Sequence, residues 1–248
     1  MEIPVSILKK LSEARTITVL TGAGVSAESG IQTFRDPDGI WTKMSPYELA
    51  SAEGFMANPE LVWSWYKQRR EIISSKEPNQ AHYAIAEMEN IFPLFVLITQ
   101  NIDRLHQRAG SKRVYELHGN IVDNHCMDCK EQFYEFIDPD SNKPPVCKRC
   151  GGNIRPSVVW FGEILPVDAL TASQEASANC DVFFSIGTSA EVFPAAELPL
   201  LALRNGGFVI EQNPNNTVIS EYVHERLKAP AGIALPALLD AYKKYIDK

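Results

Sequence analysis

Short apolar runs separated by amphipathic stretches set the rhythm of this chain. Thr16–Leu20 (TITVL), Leu94–Thr99 (LFVLIT), Asp181–Ile186 (DVFFSI) and Phe208–Ile210 (FVI) are rich in β-branched or aromatic residues and end near Gly, Asn or Thr. That pattern predicts buried strands. Between them, Pro59–Ser75 places Leu61, Val62, Trp65, Ile72 and Ile73 at helical spacing, and Asn79–Glu89 opens on a residue suited to capping a helix. Strands alternating with helices predict an α/β fold built on a doubly wound parallel sheet.

Two stretches break the alternation. Residues 120–155 hold four of the five cysteines and the turn-rich Asp138-Pro-Asp-Ser-Asn-Lys-Pro-Pro145, and are expected to form a metal-stapled insertion. Residues 31–75 are expected to form the helical portion of the same small part, leaving 1–30, 76–119 and 156–248 for the large part of a single catalytic domain. There is no internal repeat and no low-complexity tract.

Composition narrows the partners. The 248 residues are 45% hydrophobic and 22% charged, ordinary for a globular protein. No apolar run approaches the roughly 18 residues that span a bilayer, and Met1–Lys10 lacks the charged-then-apolar order of a signal peptide. An intracellular, cytoplasmic protein without membrane partners is expected. A formal net charge of −7 argues against direct nucleic-acid binding and means that an anionic ligand needs a local site.

The chemistry-bearing motifs sit at strand ends. Thr21-Gly-Ala-Gly-Val-Ser-Ala27 is a GxGxxA turn, in which glycines let backbone approach a pyrophosphate ahead of a helix N-terminus; it is equally the signature of a tight strand-to-helix turn. A dehydrogenase would place an acidic residue at the end of the next strand about 20 residues on, where this chain has the loop-like Phe34-Arg-Asp-Pro-Asp-Gly-Ile-Trp41. Asn101 and Asp103, in Thr99-Gln-Asn-Ile-Asp103, are suited to binding a carboxamide or to capping the next helix. His118, in Leu117-His-Gly119, gains weight only from this company. Cys126-x-x-Cys129 and Cys147-x-x-Cys150, 17 residues apart, offer four thiolates and predict one structural Zn²⁺ with no open position. Cys180 stands alone before an apolar run and is expected to be a buried packing residue. Val158-Val-Trp-Phe-Gly-Glu163 is suited to an exposed strand that pairs with a peptide, and Gly187-Thr-Ser189 and Asn213-Pro-Asn215 follow predicted strands.

In this order, GAGVSAESGI (Gly22–Ile31), TFRD (Thr33–Asp36), TQNID, LHG, the four cysteines, VVWFGE and GTS resemble the sirtuin family over nearly the whole chain. The resemblance implies a Rossmann-like doubly wound sheet with a small zinc-ribbon plus helical domain inserted. It implies NAD, consumed as co-substrate, and acyl-lysine proteins or peptides meeting in the cleft between the two. His118 would be the general base, with Asn101 also catalytic. Gly22, Ala23, Gly24 and Ser189 would hold the pyrophosphate, with Arg35 close to the ribose-phosphate. Ala27, Phe34, Gln100, Asn101, Ile102 and Asp103 would border the nicotinamide and its ribose. Glu28, Thr33 and Trp41 are further cofactor contacts by the same likeness, while Gly187, Thr188, Asn213, Pro214, Asn215 and Ala231 would meet the adenosine half. Val158, Phe161, Gly162 and Glu163 would pair with the peptide. The implied reaction releases nicotinamide and 2′-O-acyl-ADP-ribose, with zinc away from the substrate.

The chain departs from the family at Gln32, where Pro is common, and at Asp36, where Gly is common. Tyr66 and Arg69 share a helix face at three-residue spacing and occupy the place of the YxxR motif of desuccinylases and demalonylases, with small Ala50 leaving room for a longer acyl chain. Succinyl- and malonyl-lysine are therefore expected substrates, with acetyl-lysine also accepted. The rival readings are a mainly deacetylating enzyme, an ADP-ribosyltransferase or NAD hydrolase, a dehydrogenase and a non-enzymatic zinc-ribbon adaptor.

Overall fold

A computed structural model describes residues 1–33, 45–133 and 143–247. Six parallel strands form the main sheet: β1 (Thr16–Thr21), β2 (Leu94–Thr99), β3 (Val114–Glu116), β7 (Val182–Ile186), β8 (Phe208–Gln212) and β9 (Glu225–Leu227). Their order is β3-β2-β1-β7-β8-β9. The chain direction across the sheet reverses between β1 and β7, so a crevice opens at the carboxyl ends of those two strands. The four strands predicted from apolar runs are all present; β3 and β9, three residues each at the sheet edges, are additional.

Burial on both faces explains the apolar runs. Ile17, Val19, Leu97, Phe184 and Ile210 point into one core, and Leu20, Ile98, Phe183 and Val209 into the other. The first core is closed by α1 (Val5–Glu13), α5 (Gln80–Ile91) and α9 (Ala231–Ile246), each with a stripe of apolar residues three or four apart. The second is closed by α7 (Val167–Ala178) and α8 (Leu198–Arg204), and Cys180 is buried there, donating to Ser177 O. Asn79 caps α5 as predicted: its Oδ1 accepts from Ala81 N–H, and His82 Nδ1 reciprocally accepts from Asn79 N–H.

The remaining elements build a third core. Helices α2 (Pro46–Leu49), α3 (Ala52–Ala57) and α4 (Pro59–Ser74), with Ala50 between the first two, pack Ala50, Phe55, Val62, Tyr66 and Ile73 against Ile121 and Val158 of a small antiparallel sheet and against Trp160 just beyond it. That sheet has the order β5-β4-β6, with β4 Gly119–Cys126, β5 Gln132–Phe133 and β6 Ile154–Val158. Arg70 of α4 reaches across to donate to Ile121 O and Asn124 Oδ1. β6 stops at Val158, so the expected peptide-pairing strand over 158–163 is not a strand beyond its first residue. The chain turns there instead, around Arg155, whose guanidinium binds Glu163 at 2.5 and 3.0 Å and stacks 3.2 Å over the Trp160 ring.

The four paired cysteines converge with their sulfurs all within 4.8 Å of one another, Cys126 to Cys150 at 3.4 Å and Cys129 to Cys147 at 3.7 Å. Sulfurs about 2.3 Å from a tetrahedral zinc lie about 3.8 Å apart, so the set fits Zn²⁺. Among the described residues the local core consists of Cys126, Cys147 and Ile154 with Cys129 and Phe133 packed against it. With so little apolar burial among those residues, metal binding is what would stabilise this tip. We expect one zinc per chain, loss of zinc and a lower Tm in Cys126→Ala, and the same fall in Tm when a chelator strips the wild type. A zinc-free wild type with unchanged Tm would contradict this.

Candidate active site

The site begins with a backbone contact. Gly22 N–H donates to Ile186 O at 2.9 Å and Gly24 N–H to Gly187 O at 2.8 Å, joining the turns that leave β1 and β7. A Cβ on Gly22 or Gly24 would lie 2.8 Å from Gly187 O, and Gly187, at φ +58, has no room for a side chain either. These glycines are therefore required first by this approach of backbone to backbone. The segment that follows is a 3₁₀ turn (Ala23–Ser29) and not the expected helix. With the Gly22 and Gly24 donors spent, Ala23 N–H is the free donor of the three among the described residues.

Around this point lies a cleft of about 1530 Å³ between the strand ends and the third core. Its wall includes Gly22, Ala23, Gly24, Ala27, Glu28, Thr33, Gln100, Asn101, Ile102, His118, Gly187, Thr188, Ser189, Asn213, Pro214, Asn215 and Ala231. On the side of the third core it includes Ala50, Tyr66, Val158, Phe161, Gly162 and Glu163. The structure thus brings together most of the residues singled out above. Asp103 and Arg69 are buried behind the wall. Phe34, Arg35, Asp36 and Trp41 lie outside the described residues, and Gln32, just before them, is exposed.

Asn101 donates from Nδ2 to Gly22 O at 3.1 Å and to Ser26 Oγ at 3.2 Å, which holds the end of β2 against the glycine turn. Asp103 accepts from Leu105 N–H at 2.9 Å, where a short helix starts, and from Ser26 Oγ at 2.7 Å. Its carboxylate thus does the capping that the sequence left open. Burial raises its pKa, partly offset by the Leu105 and Ser26 bonds. Gln100 bridges the strand ends by donating to Thr188 Oγ1 at 3.0 Å, and Asn213 Nδ2 donates to Thr188 O at 3.1 Å. Glu28 accepts from Gly232 N–H at 2.6 Å in the first turn of α9, a favourable place for an anion.

His118 is half-buried on the wall, and its Nδ1 lies 3.0 Å from Gln100 O. A carbonyl only accepts, so Nδ1 carries the hydrogen and Nε2 keeps its lone pair. Burial holds the imidazole pKa below its ordinary value, against the smaller opposing effect of the Gln100 bond, and so favours the neutral ring.

Tyr66 has its hydroxyl 2.9 Å from Trp160 Nε1, which can only donate; the Tyr66 O–H hydrogen therefore remains to be given elsewhere. Burial raises the phenol pKa and keeps it protonated. Arg69, one turn along α4, is 8% exposed and has no ion-pair or hydrogen-bond partner among the described residues. Burial lowers its pKa, with Tyr66 and then Asp103 opposing. The Glu163 carboxylate is committed to Arg155 and Trp160 N–H. Burial opposes its ionisation, but those bonds win and its pKa is lowered.

Sequence reasoning missed other parts of the wall. Glu191, Val192, Phe193 and Pro194 face the cleft two residues after Ser189, and Phe193 is 67% exposed. Their position directly after a strand-end motif was the available signal. Tyr47, Trp65, Gln212 and Thr217 also contribute, without any pattern that marked them.

Comparison with known proteins agrees with this geometry. The Sir2 family model matches residues 22–194. A protein of Aquifex aeolicus named NAD-dependent protein deacylase is 51% identical over 237 residues, covering 95% of this chain and 99% of that protein. A solved complex of a Sir2 homologue mutant with ADP-ribose superposes with a TM-score of 0.95 at 42% identity, covering 99% of this chain and 98% of the other. A Sir2 homologue–NAD complex reaches 0.91 at 42% identity, covering 98% and 95%. With its sheet order, its cleft and its four cysteines all in agreement with these matches, the chain belongs to the Sir2 family, the sirtuins.

Proposed function

We propose that this chain is a protein-lysine deacylase that removes succinyl and malonyl groups as well as acetyl groups. The acyl group passes to ADP-ribose and nicotinamide is released. The coarser part goes with the family: the chain is an enzyme that uses NAD and acts on acyl-lysine in proteins or peptides. The finer part is supported by one observation. Tyr66 stands on the cleft wall with a hydroxyl hydrogen to give, and behind it Arg69 is a buried guanidinium with no hydrogen bond or ion pair among the described residues, the Asp103 carboxylate acting on it only from beyond ion-pair distance. A buried charge held so loosely is stabilised by a directly bonded counterion, and the distal carboxylate of a succinyl or malonyl group supplies one. Guanidinium suits it because its planar fork matches a carboxylate.

In this reading Ala23 N–H and Ser189 hold the pyrophosphate, Gln100, Asn101 and Ile102 border the nicotinamide ribose, and Asn213 to Asn215 with Ala231 hold the adenosine half. His118 Nε2 takes the proton from a ribose hydroxyl and so activates that oxygen toward the acyl carbon. Zinc, held by Cys126, Cys129, Cys147 and Cys150, maintains the tip of the small sheet and touches no substrate.

Two predictions follow from the cleft. His118 acts as a base only when neutral, and protonation removes that base as pH falls through its folded-state pKa. Because burial lowers that pKa, the acid limb of kcat/KM falls below about pH 6.5. An acid limb centred above pH 7 would contradict a buried neutral His118. His118→Tyr should retain NAD binding by calorimetry while product formation drops by about 10²–10⁴-fold.

The acyl reading is tested by Arg69→Met on one peptide carrying succinyl- or acetyl-lysine. A charge-assisted hydrogen bond contributes about 1.5–3 kcal/mol, so succinyl kcat/KM should fall by roughly 10–150-fold while acetyl kcat/KM changes little. Equal falls on both peptides would assign Arg69 to folding.

A further inference from the structure

Glu211 is the penultimate residue of β8, two positions before Asn213, and its carboxylate side chain is 1% exposed. A carboxylate so placed must be compensated within the protein. Its three side-chain donors among the described residues all come from further along the chain: Thr217 Oγ1, Ser220 Oγ at 2.6 Å and Arg226 Nε at 2.7 Å. One buried charge therefore folds the segment from Asn213 to Arg226 back onto β8. The sheet register supports this, since Glu211 and Arg226 are direct partners across β8 and β9.

Arg226 carries the constraint outward. Its two terminal nitrogens donate to Asn216 Oδ1 at 3.0 Å and to Asn215 O at 3.2 Å. Asn215 N–H in turn donates to Asn213 Oδ1 at 3.1 Å, and Asn213 Nδ2 to Thr188 O. Asn213, Asn215 and Asn216 line the cleft, whereas Glu211 and Arg226 do not. Whatever the ion pair does for a ligand, it does through that wall.

We infer that the buried Glu211–Arg226 pair is a positioning device for the adenosine end of NAD, so that cofactor affinity, and not turnover, depends on it. The inference rests on the reading that Asn213 to Asn215 holds the adenosine half. Neither charge lines the cleft, so NAD would feel them only through that wall. Removing one charge loosens a wall that meets NAD equally before and during the reaction, and such a change raises KM for NAD with kcat unchanged.

The experiment is steady-state kinetics on Arg226→Met, Arg226→Lys, Asn216→Ala and Asn213→Ala, with thermal melting of each. Loss of a charge-assisted network should raise KM for NAD roughly tenfold in Arg226→Met, with partial rescue in Arg226→Lys. The KM for the acyl peptide, and kcat at saturating NAD, should stay within about twofold. Asn216→Ala removes one Arg226 contact without exposing the buried carboxylate; it should raise KM for NAD several-fold at unchanged Tm, and it decides the matter if Arg226→Met does not fold. An unchanged KM for NAD in folded Arg226→Met, or in Asn216→Ala where Arg226→Met is unfolded, overturns the inference. So does a fall in kcat parallel to the loss of folded protein. If Asn213→Ala raises KM for NAD while the Arg226 variants do not, only the present inference fails. If Asn213→Ala also leaves it unchanged, the adenosine placement fails with it.

Discussion

The cleft depends on a contact that leaves no room for a side-chain carbon. The turns after β1 and β7 meet backbone to backbone at Gly22, Gly24 and Gly187, with a hydrogen bond of 2.8 Å from Gly24 N–H to Gly187 O. This junction is where the sheet's winding reverses. It sets the distance between the β2 end, carrying Gln100 and Asn101, and the β7 end, carrying Thr188 and Ser189. The bridge from Gln100 Nε2 to Thr188 Oγ1 spans it, and the same Gln100 supplies the carbonyl that selects the tautomer of His118. A wider junction would move the base and the cofactor wall apart together.

Around this junction the molecule buries charge sparingly and almost always with partners. Arg70 is satisfied by β4, Arg155 by Glu163 and by its stack on Trp160, Glu211 by Arg226, and Asp103 by Ser26 and Leu105. Desolvated ions held this way resist displacement because removing one partner leaves the other stranded. Arg69 differs from them: among the described residues it makes no hydrogen bond or ion pair, and it lies one helical turn from Tyr66, whose hydroxyl accepts from Trp160. The contrast between Arg69 and Arg70, neighbours on one helix, separates a charge that ties two elements together from one that is buried without bonding to either.

Much of this was legible in the chain. Buried parallel strands announce themselves because both faces demand apolar residues, which is why Thr16–Leu20 and Leu94–Thr99 stood out. The paired cysteines stood out by their spacing alone, whereas the Gly-rich turn, Asn101 and His118 gained weight from one another's company. Other features lacked such a mark. β3 and β9 are three-residue edge strands whose existence depends on a neighbour to pair with. Val158–Glu163 has strand-like composition, yet Arg155 and Glu163, eight residues apart, draw it into a turn. The Glu211 hub was hidden for the same reason, because its donors lie up to 15 residues downstream and no local pattern ties them together.

The third core has its own consequence. Tyr66 and Ala50 belong to a cluster with Phe55, Val62, Ile121 and Trp160, separate from the two cores that sandwich the main sheet. Residues on this side of the cleft can therefore be exchanged with little disturbance to the packing of the main sheet. Such a partition makes a lineage easy to diversify: substrate range can drift through a few helix positions while the machinery that consumes the dinucleotide is inherited intact.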